Sequence, residues 1–226
     1  GEIILVVIGI LIALQINNWN EERKSKKLER YFLTQILESL KSDLGRTRRI
    51  YKFRALEKNN AISQLINELN QDNLPHDSIL YPLFNKMSIT LSFNYDKGAY
   101  ESLKSQGLNI IQNDSLRQKI VRMYENDLPL GIEFINLNRQ FQHQLREKYE
   151  LELTEYIYER SKNGKWVGDV IVDFEKIKNS KTLKNLIRLE EEVALNYKFR
   201  LETEIEDFES LILQIENLLK NTKNIY

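Results

Sequence analysis

The stretch GEIILVVIGILIALQINNWNEERK, residues 1–24, decides how the whole chain is interpreted. Every residue from Ile3 to Leu14 is apolar or glycine, and Ile16 closes the run. As a helix the run covers roughly 20 Å, whereas the hydrocarbon core of a bilayer is about 30 Å thick. Because the sequence starts at Gly1 rather than Met, we expect further apolar residues upstream that complete a span.

Two alternatives fit this stretch less well than a membrane span. A signal peptide would carry a small-residue cleavage site, whereas Gln-Ile-Asn-Asn-Trp-Asn follows the apolar run. A core helix of a soluble protein would show one apolar stripe, whereas this run is apolar all round. The sequence therefore predicts a transmembrane anchor over residues 1–18.

The residues after the run are of the types found at a membrane interface. A tryptophan beside polar and basic side chains is typical of the position where a helix leaves the lipid. Basic side chains at that depth attract anionic lipid headgroups. The sequence thus predicts membrane lipid as a partner, with headgroup contacts from Trp19, Arg23, Lys24, Lys26 and Lys27.

Three residues in or beside the run are candidates for packing between membrane helices. Gly9 and Ala13 form a small-xxx-small pair, which lets two helices approach closely. Glu2 places a carboxylate near one face of the span, where it either reaches back to the interface or bonds to another subunit. These residues predict a packing surface for a homo-oligomer or for other subunits of a membrane complex.

Composition excludes several classes of function. The chain has 226 residues with 33 basic and 33 acidic side chains. This balance argues against a nucleic-acid partner, because such proteins normally carry a basic excess. Without cysteine the chain has no thiol catalysis and no zinc–thiolate site. Its two histidines, His76 and His143, lack metal-ligand spacing to a second histidine or to a cysteine, so we predict no metal site.

Helical spacing of apolar residues dominates the rest of the chain. We predict an all-α fold, in which the N-terminal transmembrane helix continues into an antiparallel bundle of long helices with a short-helix insert, and residues 19–226 form the bundle domain. The first predicted helix runs from the membrane to about Gln71, with a bend near Gly45. Two short helices follow, from Ile79 to Lys86 with Asp77 as cap and from Lys97 to Gln106 with Gly107 as stop. The remaining predicted helices run from Asn113 or Asp114 to about Asn126, from Pro129 to about Arg160, and from the Ser180 cap to about Lys220.

Three connecting segments are not predicted as helices. Met87 to Tyr95 alternates like a strand but has no obvious pairing partner. Residues 163–168 are predicted as a loop, and Val170 to Phe174 as a brief strand or a turn.

A basic stretch and an acidic helix are predicted to face each other. The basic stretch holds Arg46, Arg48, Arg49, Lys52, Arg54 and Lys58, and the acidic residues are Glu190, Glu191, Glu192, Glu202, Glu204, Glu206, Asp207 and Glu209. The basic residues lie about 45–60 Å beyond the membrane run along a continuous helix, too far for headgroup attraction. Pairing within the chain or a solvated face is therefore favoured over lipid binding.

Two segments resemble a known family. GEIILVVIGILIALQINNWNE (1–21) resembles the signature of an uncharacterised family of small membrane-anchored proteins common in Bacteroidetes. AYESLKSQGL (99–108), with Asn113 to Arg117 after it, resembles the central segment of that family. The resemblance implies a span that extends upstream behind a basic segment, and it implies no activity. It marks Tyr100, Leu103, Gly107 and Arg117 as a candidate interaction segment, although a helix stop and burial explain the same residues.

No pattern in the sequence singles out a nucleophile, an acid–base pair or a cofactor site. We therefore predict no catalytic residue and no cofactor. The predicted function is a non-enzymatic structural or accessory component of an inner-membrane or envelope complex, and the alternative is a periplasmic sensory or small-ligand-binding module. The basic residues after the span favour a cytoplasmic domain, whereas the upstream basic segment implied by the family favours the periplasm, which we adopt.

Overall fold

The computed structural model describes residues 1–160, 163–164 and 166–221, without side chains at 150–151, 156–160 and 166–170. Backbone contacts divide the chain into two compact units. Unit 1 comprises Gly1–Leu44, Tyr95–Leu128 and Asp207–Tyr226, and unit 2 comprises Gly45–Asn94 and Pro129–Glu206.

The described part of the chain is all-α apart from one hairpin. Its α-helices are α1 (Glu2–Ile50), α2 (Leu56–Leu69), α3 (Asp77–Met87), α4 (Gly98–Gln106), α5 (Asp114–Arg122), α6 (Leu128–Leu145), α7 (Leu151–Leu153), α8 (Phe174–Ile177) and α9 (Lys181–Asn221). π-Helical turns occupy Tyr51–Ala55, Met123–Asp127 and Arg146–Glu150, and a 3-10 turn occupies Leu108–Ile110. The predicted long first helix is confirmed as far as Leu69, but its irregularity lies at Tyr51–Ala55 rather than at Gly45.

Two predicted N-terminal caps are confirmed, and a third is corrected. Asn113 accepts from the backbone N–H of Leu116 at 2.9 Å, and Ser180 accepts from that of Leu183 at 3.1 Å. The cap of α3 is His76, whose Nδ1 accepts from the N–H of Ser78 at 3.1 Å, and not Asp77, which lies inside the helix. An imidazole nitrogen thus takes the place of the expected carboxylate.

The predicted helix from Pro129 to Arg160 is too long. Its helical part stops at Leu153, and β1 (Glu155–Arg160) pairs antiparallel with β2 (Trp166–Ile171). The predicted loop at 163–168 is therefore partly strand, and the strand predicted from Val170 ends at Ile171. Aromatic and β-branched residues favour strands once a partner strand is present. Gly164, at φ +72°, supplies a left-handed turn residue between the strands, while Lys165 lies outside the described residues.

Residues 88–97 form an irregular segment and not the strand that alternation suggested from Met87 to Tyr95. Side chains of neighbouring helices bond to its backbone carbonyls instead. Lys58 donates to the carbonyl of Met87, Arg54 Nη1 donates to that of Thr90 at 3.1 Å, and Gln142 Nε2 donates to that of Ile89 at 3.2 Å. Polar side chains therefore take the place of a partner strand.

Each unit has its own buried apolar residues. In unit 2 one cluster comprises Ile62, Leu65, Leu80, Phe84, Met87, Leu145, Leu153, Val172, Phe174, Ile177, Leu183, Leu186, Ile187 and Ala194. In unit 1 the helix faces bury Leu33, Ile36, Leu40, Tyr100, Leu103, Ile120, Phe208 and Ile215. These residues follow the predicted 3.6-residue period.

Gly131 makes room for the ion pair between Arg200 and the buried Glu204 in unit 2. A methyl group at Gly131 would lie 2.7 Å from Arg200 Nη2 and closer still to the Glu204 carboxylate, and Glu204 is fully buried. A glycine-to-alanine change inside a helix normally stabilises by about 1 kcal/mol, but here the buried carboxylate must move. We expect Gly131→Ala to lower the free energy of unfolding by about 1–3 kcal/mol.

The matched control is Gly45→Ala, also inside a helix. Its added methyl group would meet only Arg49 Nη1, at 4.0 Å, so we expect a gain of about 0.5–1 kcal/mol. Denaturant unfolding of the two variants measures the difference. Equal stabilisation by both changes would show that the Gly131 site has room for a side chain.

Candidate functional site

The apolar run of α1 lies on the surface. Among the described residues, the helical stretch Glu2–Leu69 is long and apolar enough to span a membrane, and none of its most apolar 18-residue window is buried. Ile3 is 81% exposed and Leu11 is 57% exposed, which would be costly in water over a continuous run. Glu2, Gly9 and Ala13 are all exposed on this helix, and a methyl group at Gly9 would meet nothing within 4 Å.

The predicted headgroup residues form local pairs beyond this run. The guanidinium of Arg23 lies 5.2 Å from the centre of the Trp19 ring, which is a cation–π contact. Lys24 pairs with Glu21 at 2.9 Å and Lys26 pairs with Glu22 at 2.6 Å, while Lys27 is exposed. Exposed pairs of this kind contribute little to stability.

The candidate interaction segment lies in unit 1 and is largely buried. Tyr100 is 1% exposed and stacks on Tyr124 with ring centres 4.7 Å apart, and Leu103 is fully buried. The Tyr100 hydroxyl donates to Glu125 Oε1 at 2.7 Å, and Lys104 donates to the same oxygen at 2.7 Å. Burial and these bonds give Tyr100 and Leu103 packing roles.

The other two residues of that segment shape its backbone. Gly107 has φ +115°, which only glycine adopts readily, and its N–H bonds to the carbonyl of Leu103 at 2.9 Å. Arg117 donates to the carbonyl of Ile111 at 2.9 Å and pairs with Asp114 at 2.7 Å. The segment thus consists of α4, the glycine that ends it and the start of α5, and its own side chains stabilise this arrangement.

Four tyrosines should ionise late when the folded protein is made alkaline. The hydrogen bond to Glu202 raises the pKa of Tyr51 to about 12, and burial raises the pKa of Tyr197 to about 12. Burial also raises the pKa of Tyr100 and of Tyr124. An unfolded tyrosine has a pKa of about 10, so these groups contribute stability that is full below that pH and is lost as the pH rises through the raised pKa of each folded group.

The measurement is tyrosinate absorbance against pH for folded and urea-unfolded protein. Of the 11 tyrosines, we expect these four to titrate only in the upper part of the folded curve. Tyr51→Phe should remove one late step and leave the early steps unchanged. A folded curve that superimposes on the unfolded one would contradict the prediction.

Unit 2 buries an ionic cluster, of which the sequence analysis predicted the pairing of basic and acidic residues but not the glutamine. Lys58, Gln142 and Glu190 are all fully buried. Lys58 Nζ lies 2.5 Å from Glu190 Oε2, and Gln142 Nε2 donates to the same oxygen at 2.9 Å. The predicted pairing of the basic stretch with the acidic helix is confirmed at this pair, and Tyr51 adds a bond to Glu202 at 2.6 Å.

The electrostatics of this cluster are those of a buried ion pair. Burial lowers the pKa of Lys58, and the adjacent Glu190 carboxylate opposes that shift. Arg146, which begins a π-helical turn, places its Nε 3.8 Å from Glu190 Oε1. The carboxylate of Glu190 therefore has both a lysine and an arginine beside it.

The helical period indicates this cluster, because it places charged residues at core positions. Lys58 follows Ala55 and precedes Ile62 on the buried face of its helix, so a charge occupies a core position. Glu190 occupies the same kind of position between Leu186 and Val193. Buried charges need partners, so these two core positions signal that each side chain must be paired.

An open groove lies on α6 beside the cluster and has a volume of about 640 Å³. We call it the cationic groove, and its described lining residues are Thr90, Arg139, Gln140, His143, Gln144 and Arg146. No acidic side chain occurs among these described lining residues. The described part of the chain also has no group of three or more histidine, aspartate or glutamate residues that could hold a metal ion.

Together these features define a helical protein with an exposed apolar N-terminal helix and a buried ionic cluster. The chain belongs to a family of unknown function, DUF6090, whose model matches residues 2–147. The match includes both segments of the resemblance, as well as Lys58, Gln142 and Arg146, and it ends before Glu190. No curated protein and no solved structure matches the chain.

Proposed function

We propose that the protein is a non-enzymatic, single-pass membrane protein that acts as a structural or accessory component of an envelope complex. One observation carries the proposal, namely the apolar surface of α1 from Ile3 to Ile16, which lies exposed on a helix that continues to Ile50. Lipid is the environment that makes such a surface stable. The absence of a catalytic pattern in the sequence supports a non-enzymatic role.

The proposal places the anchor in the inner membrane and the remaining helices in the periplasm. The resemblance to the family implies a basic segment before the span, and such a segment would support this orientation because basic residues remain preferentially in the cytoplasm. The residues from Arg23 to Lys27 favour the opposite side. Protease added to spheroplasts decides between them, since only a periplasmic domain is cleaved while the inner membrane is intact.

Assembly is tested by purifying the protein in a gentle detergent and measuring the mass of the intact complex. The scaffold proposal expects a homo-oligomer or a defined complex with another membrane protein. For a homo-oligomer, Gly9→Leu and Ala13→Leu should reduce assembly, because both residues would meet the partner helix. A monodisperse monomer without a copurifying partner would contradict the scaffold role.

A further inference from the structure

We propose that the cationic groove of unit 2 binds an anion that carries a phosphate group. The groove follows one face of α6 and continues into the π-helical turn that begins at Arg146. Its volume of about 640 Å³ falls in the usual range for small-molecule sites, about 300–1,000 Å³. This site is separate from the membrane anchor and goes beyond a scaffold role.

Two arginines and the histidine between them share one side of the groove. Arg139, His143 and Arg146 lie four and three residues apart, which places them along one side of the helix. Arg139 is exposed and has no hydrogen bond or ion pair to any described residue. Two guanidinium groups with forked N–H donors match the charge and the oxygen geometry of a phosphate group.

The buried cluster holds one of these arginines in place. Arg146 is partly buried and lies 3.8 Å from Glu190, whose charge is already opposed by Lys58 at 2.5 Å. The contact with Glu190 keeps the guanidinium of Arg146 at the end of the groove. π-Helical turns often occur at functional sites, and this turn begins at Arg146.

Neutral donors complete the lining. Gln140 and Gln144 add amide groups and Thr90 adds a hydroxyl, all of which can bond to phosphate oxygens. Arg54 donates to the carbonyl of Thr90 at 3.1 Å and brings a further cation to this edge. A phosphate group can come from a soluble metabolite or from a lipid headgroup, and the test separates these sources.

The experiment measures the thermal stability of the full-length protein in a neutral detergent at constant ionic strength. The soluble probe is inorganic phosphate titrated against chloride. The lipid probe is short-chain phosphatidylglycerol, with short-chain phosphatidylcholine as its zwitterionic counterpart. The test variant is Arg139→Gln, and the control is Arg188→Gln, which removes another exposed arginine of unit 2 outside the described groove lining.

We expect saturable stabilisation of the wild type and of Arg188→Gln, with the affinity of Arg139→Gln reduced about tenfold, as expected for the loss of one charged contact. A response to phosphate assigns a soluble ligand, and a response only to phosphatidylglycerol assigns a lipid headgroup. His143→Gln, also exposed, should weaken the same response. No stabilisation by either probe, or an equal response of the two arginine variants, would overturn the proposal.

Discussion

Lys58→Met is expected to lower the free energy of unfolding by about 3–5 kcal/mol, the typical cost of removing one partner of a buried ion pair. The change leaves the Glu190 carboxylate in the core, where Glu190 is fully buried and Lys58 was 2.5 Å away. It also removes the donor to the carbonyl of Met87. Urea unfolding in detergent, followed by circular dichroism, measures the loss.

The matched control is Lys86→Met, the same change in an exposed pair of unit 2. Lys86 lies 3.8 Å from Glu57, and both side chains are more than 40% exposed. Exposed pairs contribute about 0–1 kcal/mol, so this variant should stay close to the wild type. Equal effects of the two lysine changes would contradict the burial argument.

The double variant Lys58→Met with Glu190→Met tests the ionic origin of the loss. Removing both charges relieves the desolvation cost, so the double variant should be more stable than Lys58→Met alone. Arg146 then loses its nearby carboxylate, which limits the recovery. Losses that simply add would show that methionine at either position harms packing instead of exposing a buried charge.

Apolar periodicity predicted the long helices because their burial depends on a local repeat. In α9, Leu183, Tyr197 and Phe208 lie on one stripe, and all three are buried. The β1–β2 hairpin escaped prediction because strand pairing is nonlocal. Residues 154–160 also fit a helical stripe until Trp166–Ile171 supplies a partner.

The candidate sites divide in the same way. The exposed apolar run of α1 could be predicted because a membrane span is a local property of the sequence. The link between Lys58, Gln142 and Glu190 joins three helices distant along the chain. A polar residue on a core face reveals that a partner is needed, but only the fold identifies that partner.

Replacing Ile8 and Leu11 together by lysine is expected to release the protein from the membrane. Each change moves a residue near the middle of the apolar run from favourable to unfavourable insertion, by about 3–4 kcal/mol. Two such changes exceed what the remaining short run can offset, since the run covers only roughly 20 Å as a helix. Carbonate extraction followed by centrifugation measures the fraction that stays in the membrane pellet.

Leu195→Lys is the matched control, because Leu195 is 54% exposed and Leu11 is 57% exposed. Leu195 lies on α9 in unit 2, outside the predicted span, so this variant should remain in the pellet. A signal-peptide function predicts a different pattern, in which the mature wild-type protein starts after the apolar run and is itself soluble. Intact-mass measurement distinguishes the two, since an anchor keeps Ile3 to Ile16 in the mature chain and a cleaved signal does not.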